Sequence, residues 1–320
     1  MIKRVFCLML AGVGSLLSTA CFAQQLKPIV QTEYSLERPA WGMIEWNSAT
    51  LPKGFWYGTF EYAYLYNDSR FSTGKEVEYP GGRDSTANLI AGKLLYGVSN
   101  KLTLGVEIPV VLSQKVDSGL YQSTAKVKSG VSNLGDMQLF LKYHIWDRYF
   151  WSLSAEAGPT LPTGQPHNKV SFKQAATGDG QTDLNLALKG DILLNEDAFV
   201  KLGIGYVYQF RREYRNDKGD LTKEKLGDVL RTEMGFARNF RSVGIGAGLE
   251  YANWQATKQD GLVVAEQADL LTLSFLLSLG EISPQKHGKL DLFVNLPITG
   301  KNSAVTYRIG VALKTIFRRD

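Results

Sequence analysis

Few side chains in this 320-residue chain are equipped for covalent chemistry. Its three histidines, His144, His167 and His287, lie far apart in the sequence. Their spacing suggests neither a metal cluster nor a Ser/His pair. Both cysteines, Cys7 and Cys21, sit near the N-terminus, so the rest of the chain carries no disulfide or thiol chemistry. What remains is charge set among apolar neighbours: Lys93, Glu107, Asp136, Lys142, Glu156, Lys189, Asp191, Lys201, Arg231, Glu233, Glu250, Arg308 and Lys314. Such groups can neutralise one another across strands or line a polar passage, and they call for no cofactor and no metal.

The elements that position these charges follow from a period of two. Leu102, Leu104, Val106, Ile108, Val110 and Leu112 alternate with Thr103, Gly105, Glu107 and Pro109; Leu184, Leu186, Leu188 and Ile192 alternate with Asp183, Asn185, Lys189 and Asp191. Successive strand side chains point to opposite faces, so each such segment has one apolar face and one polar face. The pattern recurs near 55–66, 86–98, 102–113, 134–146, 151–161, 183–194, 198–211, 228–238, 243–254, 268–280, 289–299 and 304–317, about twelve strands. The expected fold is all-β, a transmembrane antiparallel up-and-down barrel with an N-terminal extension. A soluble sandwich also alternates. It accounts less well for the rhythm of the connections, which are short near 99–101, 147–150, 195–197, 239–242 and 281–288 and longer between, with 300–303 the exception.

The N-terminus places Lys3 and Arg4 before an apolar run and closes on Ala20-Cys21-Phe22-Ala23, the form of a secretory signal over 1–23. Cys21 offers a lipidation site as the rival reading, although Ser18 stands where a large aliphatic residue is usual. Residues 24–53 contain Pro28, Pro39 and Pro52, lack alternation, and form an extension able to reach the lumen ahead of a barrel over 54–320. Removing the signal subtracts two basic residues from 36 against 31 acidic ones, leaving a net charge of +3. The charges are scattered, so no nucleic-acid partner is expected. The expected location is the outer membrane of a Gram-negative bacterium, with short turns and both termini in the periplasm and long loops outside. Its partners there are outer-membrane lipid, periplasmic chaperones, the barrel-assembly machinery and a small-molecule solute. Aromatic residues gather at two levels, with Trp56, Tyr96, Trp146, Trp151, Phe199, Phe236, Phe240 and Phe317 at the periplasmic rim and Tyr64, Tyr66, Tyr208, Phe210, Tyr251, Trp254 and Tyr307 at the outer one.

Folding each short turn about its centre sets Lys93 opposite Glu107, Asp191 opposite Lys201, and Arg231 opposite Glu250 on the inner face. These pairs form either a selectivity ring or a neutralised lumen wall; paired charges cancel each other's field, so strong ion selectivity is not expected. Gly203, Gly205, Gly235, Gly244, Gly246 and Gly248 fall on one inner wall and predict a recess, or simple strand bending. Pro109 cannot donate to a sheet ladder and marks either a lateral gap or a bulged rim.

Leu51-Pro52-Lys53-Gly54 leading into an aromatic strand, Gly135-Asp136 followed by Leu139 and Leu141-Lys142-Tyr143, and Leu161-Pro162-Thr163-Gly164 resemble the MetA-pathway of phenol degradation family of outer-membrane barrels. The resemblance spans most of the mature chain. Two features depart from the pattern: an aromatic turn from Trp146 to Phe150, and Arg318-Arg319-Asp320 after Phe317. The resemblance implies a channel linked to uptake of aromatic or hydrophobic compounds and supplies no catalytic residues. Three functions stay open: passive passage of small solutes, a closed structural or surface-interaction barrel, and a lipid-modifying barrel enzyme built around His167. The expectation is a channel and not an enzyme.

Overall fold

The computed structural model describes residues 48–78, 84–117, 133–148, 150–165, 177–195, 197–215, 220–240, 243–282 and 287–318. The signal segment and residues 24–47 of the extension lie outside the described residues, as does His167. Twelve long strands run in chain order: β1 (Phe55–Ser72), β2 (Asp84–Ser99), β3 (Leu102–Asp117), β4 (Met137–Arg148), β5 (Trp151–Leu161), β6 (Asp183–Leu193), β7 (Ala198–Gln209), β8 (Val229–Phe240), β9 (Val243–Trp254), β10 (Ala268–Ile282), β11 (His287–Lys301) and β12 (Ser303–Arg318). Each pairs antiparallel with its sequence neighbour. The ladder closes where β1 meets β12, from Phe55 opposite Arg318 to Phe71 opposite Ser303. Closure removes the sheet edge and satisfies the backbone without water, as a strand structure crossing hydrocarbon requires.

The alternation read from sequence becomes an inside and an outside. Phe60, Tyr62 and Tyr64 of β1, Leu104, Ile108 and Leu112 of β3, and Ile309 and Leu313 of β12 are exposed on the outer face. Tyr57, Thr59 and Ala63 of β1 and Ala312, Lys314 and Ile316 of β12 are buried on the inner one. Apolar exposure of this extent on one continuous face is the opposite of a water-facing surface. Aromatic contacts mark the short-turn end, with ring centroids 4.5 Å apart for Trp56 and Tyr96 and 4.5 Å for Trp146 and Trp151. At the long-loop end Tyr208 and Phe210 meet edge to face at 4.9 Å. Phe199 departs from the expected rim. It shares the inward face of β7 with Lys201, is buried, and packs with Ala237, Leu193 and Leu276.

The interior is not polar throughout. Near the short turns Tyr57, Leu95, Phe140 and Ile316 form an apolar cluster inside the barrel, with Leu51 of the preceding segment at its centre. Gly105 makes room for it, because a Cβ there would stand 2.2 Å from the Phe140 ring. At the other end two connections expected to be plain loops form a separate four-stranded sheet, in the order 212–215, 221–225, 257–259, 262–265. Arg212 ties this sheet down, donating from Nε to Glu224 at 2.6 Å and also to the Asp179 carbonyl.

Candidate functional site

The inward faces carry a belt of opposite charges around the lumen. Lys93 on β2 and Glu107 on β3 are register partners with their charged atoms 3.4 Å apart. Lys142 on β4 faces Glu156 on β5, which lies 3.9 Å from Lys142 and 3.3 Å from Lys189 on β6. Asp191 and Lys201 are register partners across the β6–β7 turn. The belt continues with Lys314 on β12 at 2.7 Å from Asp291 on β11, and with Arg308 on β12 paired to Glu61 on β1. Acid and base alternate from β1 to β7 and pair again between β11 and β12, so much of the belt's field cancels.

Arg231 and Glu250 are not partners. The β8–β9 ladder sets Glu250 opposite Glu233 and Arg231 opposite Ala252. The hairpin is centred between positions 241 and 242 and not near Phe240, so the register moves by two while every side chain keeps its face. Asp136 also takes a different place from the belt. Its carboxylate accepts from Gly164 N and Asp179 N, both at 2.9 Å, and holds the base of the long β5–β6 connection. At Pro109 the wall is bridged: Gly135 N donates to the Pro109 carbonyl at 2.8 Å, and Val110 pairs with Leu134 just beyond. That main-chain bond argues against a lateral gap at Pro109.

The six glycines do not share one environment. Glu233 lies over Gly203, and Asn239 and Ser278 lie against Gly244, so no recess opens at those two. At Gly235 and Gly248 the first atoms a Cβ would meet are main-chain atoms of the neighbouring strand at 3.3 Å. Gly235, Gly246 and Gly248 line a cavity of about 230 Å³, while Gly205, where a Cβ would stand 3.5 Å from the Leu186 carbonyl oxygen, is not among its lining residues.

Residues 48–53 cross the short-turn mouth and are fastened to it. Asp191 accepts from Ser48 N at 2.7 Å and from Ser48 Oγ at 2.8 Å, and Ser48 Oγ also touches Ser152 Oγ. Thr50 Oγ1 donates to the Asn100 carbonyl at 2.8 Å, and Leu51 N donates to Thr103 Oγ1 at 2.8 Å. Leu51 is fully buried. Gly97 permits this approach, since a Cβ there would stand 2.0 Å from the Pro52 carbonyl oxygen. Buried His144, 2.9 Å from Asp147, lies under the same segment with Nδ1 3.4 Å from the Ser48 carbonyl. Among the described residues no cluster of His, Cys, Asp or Glu could hold a metal ion.

Sequence reasoning did not single out Glu61, Asp291, Phe293 or Ser48 as site residues. Asp291 pairs diagonally, two positions off its register partner Ala312, across the short turn between β11 and β12, and Glu61 pairs across the β1–β12 closure, where no turn gives a centre to fold about. Ser48 sits in a segment without periodicity. Asp291 and Phe293, alternating with Leu290, Leu292 and Val294, carried a local signal for the inner face.

A closed antiparallel barrel with an apolar outer face, aromatic rims and a charged, partly blocked interior is a transmembrane β-barrel of the outer-membrane type. No family model matches the chain, and no curated protein matches it by sequence. Among solved structures it is similar to the COG4313 outer membrane channel from Pseudomonas putida F1, at 17% identity over 84% of this chain and 98% of that one, with a TM-score of 0.68. At that identity the likeness concerns the fold. The beta domain of the Bordetella autotransporter BrkA (TM-score 0.48, 13% identity, 83% of this chain and 100% of that one) and the NanC porin (0.42, 12%, 79% and 98%) also match.

Proposed function

We propose that this chain is an outer-membrane channel for passive movement of small solutes, with aromatic or hydrophobic compounds as its class, and that the segment leading into β1 restricts the periplasmic mouth. The observation that carries the proposal is the cavity of about 230 Å³, lined by inward residues such as Lys201, Asp291 and Lys314, in a barrel whose strand ladder closes on itself. The hydrocarbon-facing exterior supports a place in the bilayer. The signal form of residues 1–23 and the alternation of short and long connections support the outer membrane, with the short turns in the periplasm.

One observation favours the second reading, a barrel that stays closed: Ser48 to Leu51 are pinned by at least four hydrogen bonds across the mouth. Planar-bilayer recording of the purified mature protein, paired with uptake of a radiolabelled aromatic solute into proteoliposomes, separates the two. Discrete conductance steps or barrel-dependent uptake support the channel. A silent bilayer together with uptake equal to empty liposomes supports the closed barrel.

A further inference from the structure

Two ammonium groups share one carboxylate at the short-turn end of the lumen. Lys289 on β11 and Lys314 on β12 stand directly opposite each other in the ladder, and Asp291 follows two positions along the same inward face of β11. Asp291 lies 2.7 Å from Lys314. Lys289 is left with no ion pair and no hydrogen bond among the described residues, although it is only 6% exposed. Like charges directly opposite on paired strands destabilise a sheet, and an ammonium taken out of water without a partner costs more still.

The other carboxylates of the belt are committed elsewhere. Glu61 pairs with Arg308, Glu107 with Lys93, and Glu156 with Lys142 and Lys189. Asp191 faces Lys201 in the register and accepts two bonds from Ser48, while Glu233 and Glu250 face each other on β8 and β9. The charges nearest Lys289 are those of Asp291 and Lys314, and Lys201 adds a further positive charge within reach of both lysines. The register partner of Lys289 on β10 is Gly280, which has no side chain to cover it. Unlike the Lys201 Nζ, the Lys289 Nζ is not among the sealed side-chain atoms, and Lys201, Asp291 and Lys314 all line the adjoining cavity.

We infer that the short-turn end of the lumen binds one small monovalent anion, a halide or a carboxylate group, between Lys289 and Lys314. An ammonium carries three N–H donors, so Lys314 keeps Asp291 and still turns one donor to the ion. One excess positive charge calls for one negative charge, and Asp291 repels a second. With the ion in place Lys289 adds no net field to the belt. The inference goes beyond the channel reading and needs no through passage, because access from one end suffices.

The test is ¹⁹F NMR of trifluoroacetate, a monovalent carboxylate, with the full mature barrel in zwitterionic nanodiscs and empty nanodiscs subtracted. Line broadening reports fast exchange, and saturation transfer reports slow exchange. Trifluoroacetate should show a saturable effect, and trifluoroacetamide, of the same shape without the charge, should show none. Lys289→Met keeps the length of the side chain and removes its charge, so the effect should be lost. If that variant lacks the heat-dependent gel mobility of a folded barrel, Lys314→Met serves: it frees Asp291 to neutralise Lys289, and the effect should again be lost. An equal effect for both probes, or an effect unchanged in either folded variant, overturns the site. So does the absence of any saturable effect, the result expected if Lys289 sheds its proton instead of taking a partner. Conductance is recorded on the same preparation, and conduction without trifluoroacetate binding defeats the site while leaving the channel reading in place.

Discussion

Replacing Leu51 by alanine tests whether the segment before β1 is held in the mouth by packing as well as by hydrogen bonds. Leu51 is fully buried among Tyr57, Leu95, Phe140 and Ile316, and its amide bond to Thr103 Oγ1 does not involve the side chain. The substitution therefore removes apolar burial and leaves a cavity while keeping the backbone anchors. Buried Leu→Ala changes cost about 2–5 kcal/mol, and the lower end applies because the segment can settle toward the hole. At about 1.4 kcal/mol per factor of ten, a loss of about 2–3 kcal/mol raises the undocked fraction roughly 30- to 150-fold. Hydrogen exchange read by mass spectrometry on the peptide covering residues 48–54 reports that fraction, because the amides of Ser48, Leu51 and Lys53 are bonded to Asp191, Thr103 and Asn100 only in the docked state. Exchange in that peptide should accelerate by the same factor while peptides from β9 and β10 keep their rates. Unchanged exchange at 48–54 in a folded barrel would refute the reasoning.

Other expected outcomes follow from particular contacts. Gly97→Val should eject the segment or block folding, since its Cβ has no space beside the Pro52 carbonyl, and mean single-channel conductance of the folded fraction should rise. Glu250→Lys should turn the Glu233–Glu250 juxtaposition into an opposite-charge cross-strand pair, raising the midpoint of thermal unfolding through a gain of about 0.2–1 kcal/mol. Burial pushes the Asp179 carboxyl above its ordinary range, opposed by the bond from Gln181 N and reinforced by neighbouring Asp136. A carboxyl raised in the folded state favours the folded loop at acid pH and loses that contribution as pH climbs through the raised value. Exchange protection of residues 177–182 should accordingly fall as pH rises above the ordinary carboxylate range, and Asp179→Asn should flatten the change. The balanced belt predicts a reversal potential near zero in a salt gradient, and strong cation or anion preference would contradict it.

What was legible in the sequence had local carriers. The period of two assigned inner and outer faces, and the short turns gave centres that set Lys93 against Glu107 and Asp191 against Lys201. The same procedure missed at β8–β9 because one position in the turn centre moves each partner by two. Glu61–Arg308 was beyond it, as that contact joins the first strand to the last. The loop sheet over 212–215, 221–225, 257–259 and 262–265 escaped because its strands are only three to five residues long, too short for alternation to register. The docked segment escaped for a related reason. Its position is fixed by hydrogen bonds to distant backbone and side chains, which leave no pattern in its own residues.

The claim beneath all of this is that the outer face, with residues such as Phe60, Leu104 and Ile309 uncovered, is made for hydrocarbon. Transfer of the unfolded mature chain from denaturant into lipid vesicles, read by protease resistance and by heat-dependent gel mobility, tests it most directly. The account predicts a protected, heat-modifiable barrel in vesicles and aggregation when lipid and detergent are both absent. A folded, monomeric, freely soluble protein in plain buffer would contradict it.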